Sequence, residues 1–161
     1  MIILCLTGTN PYPFDRLVTN VDIELGPANN VIIQLGNSYY TPKHSKSFNF
    51  CERDEIFKLI NNADIVISQG GYGSMTDVLN FKKPLIAVPR YKDQNESQDN
   101  QKELVDYFAQ KGYAIPCYKI ENLKELVKKA SKDEFKLLPY KAESNIKISR
   151  IIEEFIKINK N

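Results

Sequence analysis

From Ser68 to Asp77 the chain reads Ser-Gln-Gly-Gly-Tyr-Gly-Ser-Met-Thr-Asp, a glycine-rich stretch between a glutamine and a carboxylate. An apolar, β-branched run, Ile65-Val66-Ile67, precedes it, and a helical pattern begins at Ser74. Such a pattern marks a buried strand, a tight turn and a helix start. The first amides of a helix lack intrahelical partners, and the helix dipole adds partial positive charge there. Gly70, Gly71 and Gly73 would let an anion come close to that backbone, with Gln69 and Ser74 beside it. Asp77, one helical turn in, is placed to accept hydrogen bonds from a ribose diol. The chemistry suggested is nucleotide binding.

Elements that would position these residues follow along the chain. Strands are predicted at residues 2–6, 31–35, 47–50, 64–68, 84–88 and 113–117. Helices are predicted at about 14–25, 53–62, 74–81, 99–111 and 122–131. Strands alternating with helices imply an α/β domain with a parallel sheet and helices on both faces. Ligands bind at the carboxyl edge of such sheets. Three loops reach that edge: Thr7-Gly8-Thr9-Asn10, the turn at 69–74, and a polar loop at 89–101 that carries Arg90 and Lys92. A further amphipathic helix is expected at about 143–158, with Ile148, Ile151, Ile152, Phe155 and Ile156 on one face. It would cover the chain's own sheet or, with its lysines, meet a membrane or partner.

Several of these residues have simpler roles open to them. Ser74 to Asp77 fits a capping box, in which Asp77 satisfies backbone donors. Asp99 fits the N-cap of the next helix, with Asn100 and Gln101 in its first turn. Arg90 and Lys92 are loop cations that could neutralise a phosphate or only face solvent. Phe14 and Leu17 share a helix face and belong to the core. Tyr39 and Tyr40 are read as a partly exposed loop cluster. The dinucleotide fingerprint fails, because Thr76 stands at its third glycine, and no P-loop lysine is present.

The chain's 161 residues suit one domain, taken as 1–161, with 42% hydrophobic and 26% charged residues. A formal net charge of +2 gives no case for nucleic acid. No apolar run approaches the roughly 20 residues that span a bilayer. The start, MIILCLTGTNP, reads as a first strand rather than a signal peptide. Cys5, Cys51 and Cys117 are far apart and unpaired in pattern, as expected of reduced thiols in a cytoplasmic protein. His44 is the sole histidine, so no metal site is expected. No catalytic triad or carboxylate pair stands out, and the catalytic residue stays unknown.

Taken together, Gln69-Gly70-Gly71-Tyr72-Gly73-Ser74 with Asp77, Lys83-Pro84-Leu85-Ile86, Val88-Pro89-Arg90 and Asp99-Asn100-Gln101 resemble the C-terminal half of family 28 glycosyltransferases. Gly8-Thr9, Pro13-Phe14-Asp15-Arg16-Leu17 and Gln34-Leu35-Gly36 also match, over about residues 2–112. Small PssE-type subunits of bacterial polysaccharide synthesis are especially similar. The resemblance implies the Rossmann-like, donor-binding half of a GT-B enzyme that transfers a sugar with inversion. Gln69 and the 70–74 turn would hold the diphosphate of a UDP-sugar, and Gly8, Thr9 and Asn10 would close that side. Asp77 would take the ribose. Asp99, Asn100 and Gln101 would contact the sugar, with Arg90 a possible phosphate contact.

The resemblance further implies a membrane-associated PssD-type partner forming a heterodimer, and a lipid-linked sugar acceptor in capsule or exopolysaccharide synthesis. It implies a place at the inner face of the membrane through that partner, and no metal cofactor. Members of the family commonly carry His where this chain has Gln69 and Asn100. Glutamine and asparagine donate hydrogen bonds but carry no proton for transfer. The alternative reading is therefore a non-catalytic nucleotide-sugar-binding or scaffold subunit.

Overall fold

The computed structural model of the chain describes residues 1–140. Among these residues six parallel strands form one sheet: β1 (Ile2–Leu6), β2 (Asn30–Gln34), β3 (Lys46–Phe48), β4 (Ile65–Gln69), β5 (Leu85–Val88) and β6 (Ile115–Pro116). Their order is β3-β2-β1-β4-β5-β6, so the direction of winding reverses between β1 and β4. Loops leaving those two strands turn to opposite faces and open a crevice at the carboxyl edge. Leu6 pairs with Ser68 and with Gln34 at that edge, and Gln69 pairs with Val88.

Among the described residues five α-helices cover the sheet: α1 (Asp15–Leu25), α2 (Arg53–Asn62), α3 (Tyr72–Asn80), α4 (Lys102–Gln110) and α5 (Leu123–Ala130). Central strands of a parallel sheet are apolar on both faces, and β1 follows that rule. Ile3 and Cys5 pack with Leu17, Val21, Leu123 and Val127 of α1 and α5. Leu4 and Leu6 point the other way, against Ile60, Met75, Val78 and Phe108 of α2, α3 and α4. Phe14 and Leu17 lie fully in the core, as their spacing predicts. The amphipathic segment expected at 143–158 lies outside the described residues.

Two helix starts differ from expectation, and both matter for the site. Helix α3 begins at Tyr72 because Gly71 adopts an extended N-cap conformation and its carbonyl accepts the Met75 N–H at 3.0 Å. Asp77 thus sits in the second turn, and the capping-box reading of Ser74 to Asp77 is corrected. Helix α4 begins at Lys102, with Gln101 at its N-cap, so Asp99 is not the cap. The Gln101 N–H donates to the Arg90 carbonyl at 3.1 Å, which folds the intervening loop back before the helix can start.

A buried carboxylate holds the route to the opposite wall of the crevice. Asp22 of α1 accepts from the Tyr40 hydroxyl and from the Lys43 and His44 amides at 2.8–3.0 Å. Burial disfavours its charge, but these donors outweigh that and hold the carboxyl down at about 2. Asp15 accepts the amides of Tyr39 and Tyr40, leaving the Tyr39 ring 83% exposed. The segment between β2 and β3 is thereby pinned to α1.

Candidate functional site

The crevice floor is built where β1 and β4 end. Gly8 follows β1 with φ +74, and its N–H donates to Gln34 Oε1 at 3.0 Å. A Cβ at Gly8 would lie 2.1 Å from Gln69 Nε2, so only glycine fits this approach. Gln69, 7% exposed, ends β4. Its Oε1 accepts Arg90 Nε at 2.8 Å and Gln101 Nε2 at 3.3 Å, and its Nε2 donates to Ser74 Oγ at 3.5 Å.

Behind Gln69 lies Arg90, 1% exposed, two residues past the end of β5. Its Nη1 donates to the carbonyls of Tyr12, Pro13 and Glu96, and its Nη2 to that of Thr7, at 2.8–3.1 Å. The guanidinium carbon stands 4.3 Å from the Phe14 ring centre. Burial lowers the Arg90 pKa to about 10, against the pull of the Glu96 charge, so the group is protonated at neutral pH. Glu96 is paired with Arg16 at 2.8 Å, and Arg16 also donates to the Pro89 carbonyl. This network ties the loops after β1 and β5 together.

In front of Gln69 opens a pocket of about 450 Å³. One wall is the start of α3, with Gly71, Gly73, Ser74 and Asp77. No side chain caps α3, and the Tyr72, Gly73 and Ser74 amides precede its first intrahelical donor. The facing wall is the loop into α2, with Phe50, Cys51, Arg53 and Ile56. Arg53 Nη2 reaches Asp77 Oδ1 at 3.1 Å across the mouth. Burial first, then Glu55 and Glu52, raises the pKa of the Cys51 thiol.

Gly8, Thr9, Gln69, Gly71, Gly73, Ser74 and Asp77 therefore share one cavity, while the other expected residues stand apart from it. Gly70 is buried, and a Cβ there would meet Val105 of α4 at 2.6 Å, so this glycine serves packing. Asn10 shapes its own loop, accepting the Tyr12 N–H on Oδ1 and Asn37 Nδ2 on its carbonyl. Asp99 and Asn100 are exposed, and Asn100 accepts the Lys92 N–H. Gln101 supports Gln69 from behind rather than lining the cavity. Arg90, expected as a loop cation, is corrected to a buried one whose nitrogens all donate to protein acceptors.

The α2 wall went unread in the sequence. The polar Gln34 closing the apolar run Val31-Ile32-Ile33 of β2, and Cys51 to Arg53 following a predicted strand at the carboxyl edge, were its signals. Among the described residues no group of three or more His, Cys, Asp or Glu could hold a metal ion. No helix among them is long and apolar enough to cross a membrane.

The chain is similar in sequence and in fold to known proteins. A family model, the glycosyltransferase family 28 C-terminal domain, matches residues 2–155. A UDP-N-acetylglucosamine--N-acetylmuramyl-(pentapeptide) pyrophosphoryl-undecaprenol N-acetylglucosamine transferase from Prochlorococcus marinus is 26% identical over 129 residues, covering 78% of this chain and 35% of the relative. The UDP-N-acetylglucosamine transferase subunit ALG13 of Candida albicans is 35% identical over 78 residues, or 48% of this chain and 25% of that one. In fold, the solution structure of ALG13 superposes with a TM-score of 0.57 at 20% identity, covering 93% of both chains. The chain spans 35% and 42% of the length of two bacterial transferases that it matches.

Proposed function

The chain belongs to the glycosyltransferase family 28 C-terminal domain family, and from that premise we propose that it is the UDP-sugar-binding subunit of an inverting glycosyltransferase. The observation that carries this reading is the convergence of three features on one pocket. They are the uncapped start of α3, the Gln69 carboxamide, and Asp77 one turn further in. The diphosphate lies against the Gly73 and Ser74 amides and Gln69 Nε2, where donors and helix dipole meet its charge. Asp77 accepts the ribose hydroxyls, and the uracil ring lies along Phe50, Cys51 and Ile56.

In the reaction, the bond between the sugar's anomeric carbon and the diphosphate oxygen breaks. The charge gathering on that oxygen is met by donors already oriented toward it, which lowers the barrier without rearrangement. An acceptor hydroxyl, giving its proton to a catalytic base, attacks the opposite face of the anomeric carbon and inverts it. Since main-chain and carboxamide donors carry this charge, the reading assigns no metal.

Asp77, the carboxylate that lines this pocket, is engaged with Arg53 and the ribose rather than with the anomeric carbon. The catalytic base and the acceptor site come, in this reading, from a second, membrane-associated subunit of PssD type, which presents a lipid-linked sugar for capsule or exopolysaccharide synthesis. Support comes from the word subunit in the name of the Candida relative. Localisation at the inner membrane face follows from that partner.

The test is calorimetric titration of the full chain with UDP and a panel of UDP-sugars, alone and with the co-expressed partner. Saturable UDP binding, and sugar transfer by the pair in the presence of EDTA, are expected. No binding of UDP or any UDP-sugar in either state would falsify the reading.

A further inference from the structure

We propose that Arg90 is a positioning residue that sets which end of the Gln69 carboxamide faces the pocket, a proposal that rests on the UDP-sugar reading above. A carboxamide has nearly the same shape either way round, but its two ends differ in chemistry. With Nε2 toward the pocket, Gln69 offers N–H groups to an anion. With Oε1 there, it offers an acceptor, which repels a diphosphate.

The choice is made behind the side chain. Arg90 Nε donates to Gln69 Oε1 at 2.8 Å, and Gln101 Nε2 donates to the same oxygen at 3.3 Å. Reversing the carboxamide would set its NH₂ against those two donors. A guanidinium has no acceptor and keeps its proton at neutral pH, so it cannot accommodate the reversed form.

Arg90 is itself immobilised. It is 1% exposed and donates to four main-chain carbonyls, those of Thr7, Tyr12, Pro13 and Glu96. On the pocket side, Nε2 lies beside Ser74 Oγ and so near the Gly8 and Gly71 positions that a Cβ at either would stand 2.1 or 3.0 Å from it. The result is a donor held at the diphosphate end of the cavity by a cation that never touches the ligand.

Lysine retains the charge but not the planar fork, so Arg90→Lys removes the directional bond to Oε1. UDP affinity of the full chain should fall by about tenfold or more in this variant, the scale of a hydrogen bond to a charged group. Uridine, which has no diphosphate, should bind with unchanged affinity. In a Gln69→Ala background, Arg90→Lys should cost no further UDP affinity. Equal losses in both backgrounds, or equal losses for UDP and uridine, would mean a purely structural role and overturn the proposal.

Should Arg90→Lys fail to fold, NMR of the wild-type chain decides. Nuclear Overhauser contacts from the Gln69 Nε2 protons to Gly8 and Ser74 support the assignment, and contacts to the Arg90 Nε proton instead overturn it. If the wild type binds neither UDP nor uridine, the UDP-sugar reading falls and takes this proposal with it. Wild-type UDP binding with an additive cycle removes this proposal alone.

Discussion

Arg53 and Asp77 face each other across the pocket mouth, Nη2 to Oδ1 at 3.1 Å, joining the first turn of α2 to the second turn of α3. Arg53 is mostly exposed, so the pair adds little to stability. Its effect is on the ligand site, because it aims a carboxylate at the position expected for the ribose. Asp77→Asn keeps the shape and removes the charge. UDP affinity should drop by about tenfold to a hundredfold, while stability changes by less than about 1 kcal/mol. Calorimetric titration beside a thermal melt checks both halves. Unaltered UDP affinity would remove Asp77 from the site.

Gly73 and Gly8 should separate folding from binding. A Cβ on Gly73 meets nothing within 4 Å, yet this residue lines the cavity in the first turn of α3. Gly73→Ala should leave the fold intact or stabilise it by about 0.5–1 kcal/mol, while the methyl group blocks the diphosphate. Gly8→Ala meets both a positive φ and the Gln69 carboxamide, so it should destabilise the chain by about 1–3 kcal/mol. Urea denaturation and UDP titration of both variants give the comparison. A Gly73→Ala chain with native UDP affinity would refute the placement of the diphosphate.

The three cysteines should differ in reactivity. Cys5 and Cys117 are buried, and burial pushes their thiols up to about 12 and about 11 respectively. Cys51 is partly exposed at the pocket wall, where burial and then Glu55 and Glu52 raise its thiol. Iodoacetamide at mildly alkaline pH should modify Cys51 first, and saturating UDP should slow it at least severalfold. Peptide mass mapping with and without UDP reads this out. A rate indifferent to UDP would place the base elsewhere.

Acid stability should carry the mark of Asp22. Its carboxyl stands at about 2 in the folded chain, below the ordinary 3.8. A depressed carboxyl stabilises the fold above the unfolded value and loses that contribution as pH falls toward the folded one. About 2 kcal/mol should thus be present at neutral pH and vanish between about pH 4 and 2. Asp22→Asn should be less stable than wild type at pH 7, with the gap closing through that window. Parallel urea titrations at several pH values test it, and a pH-independent gap would exclude this linkage.

What could be read in advance was local, and what could not was long-range. The apolar runs of β1 and β4 and the whole of α2, at 53–62, followed from periodicity alone. The start of α3 did not, because Gly71 caps it by backbone conformation and leaves no side-chain signature. Arg90 looked like a loop cation because its acceptors lie as far away as Thr7, 83 residues earlier.

The same separation hid the meaning of Gln69. Beside a buried guanidinium a protonated imidazole would be disfavoured. A neutral carboxamide presents the same kind of donor without the charge conflict. The departure from histidine that argues for lost activity is therefore compatible with anion binding.

Arg90 also resembles, in its surroundings, an ion in a coordination cage: four main-chain oxygens from the loops after β1 and β5 converge on one cation. Here the cation is covalently part of the chain. It cannot be exchanged, chelated or diluted away, so the turns it gathers are set once, at folding. A ligand arriving at the crevice meets a frame whose central ion was encoded rather than acquired.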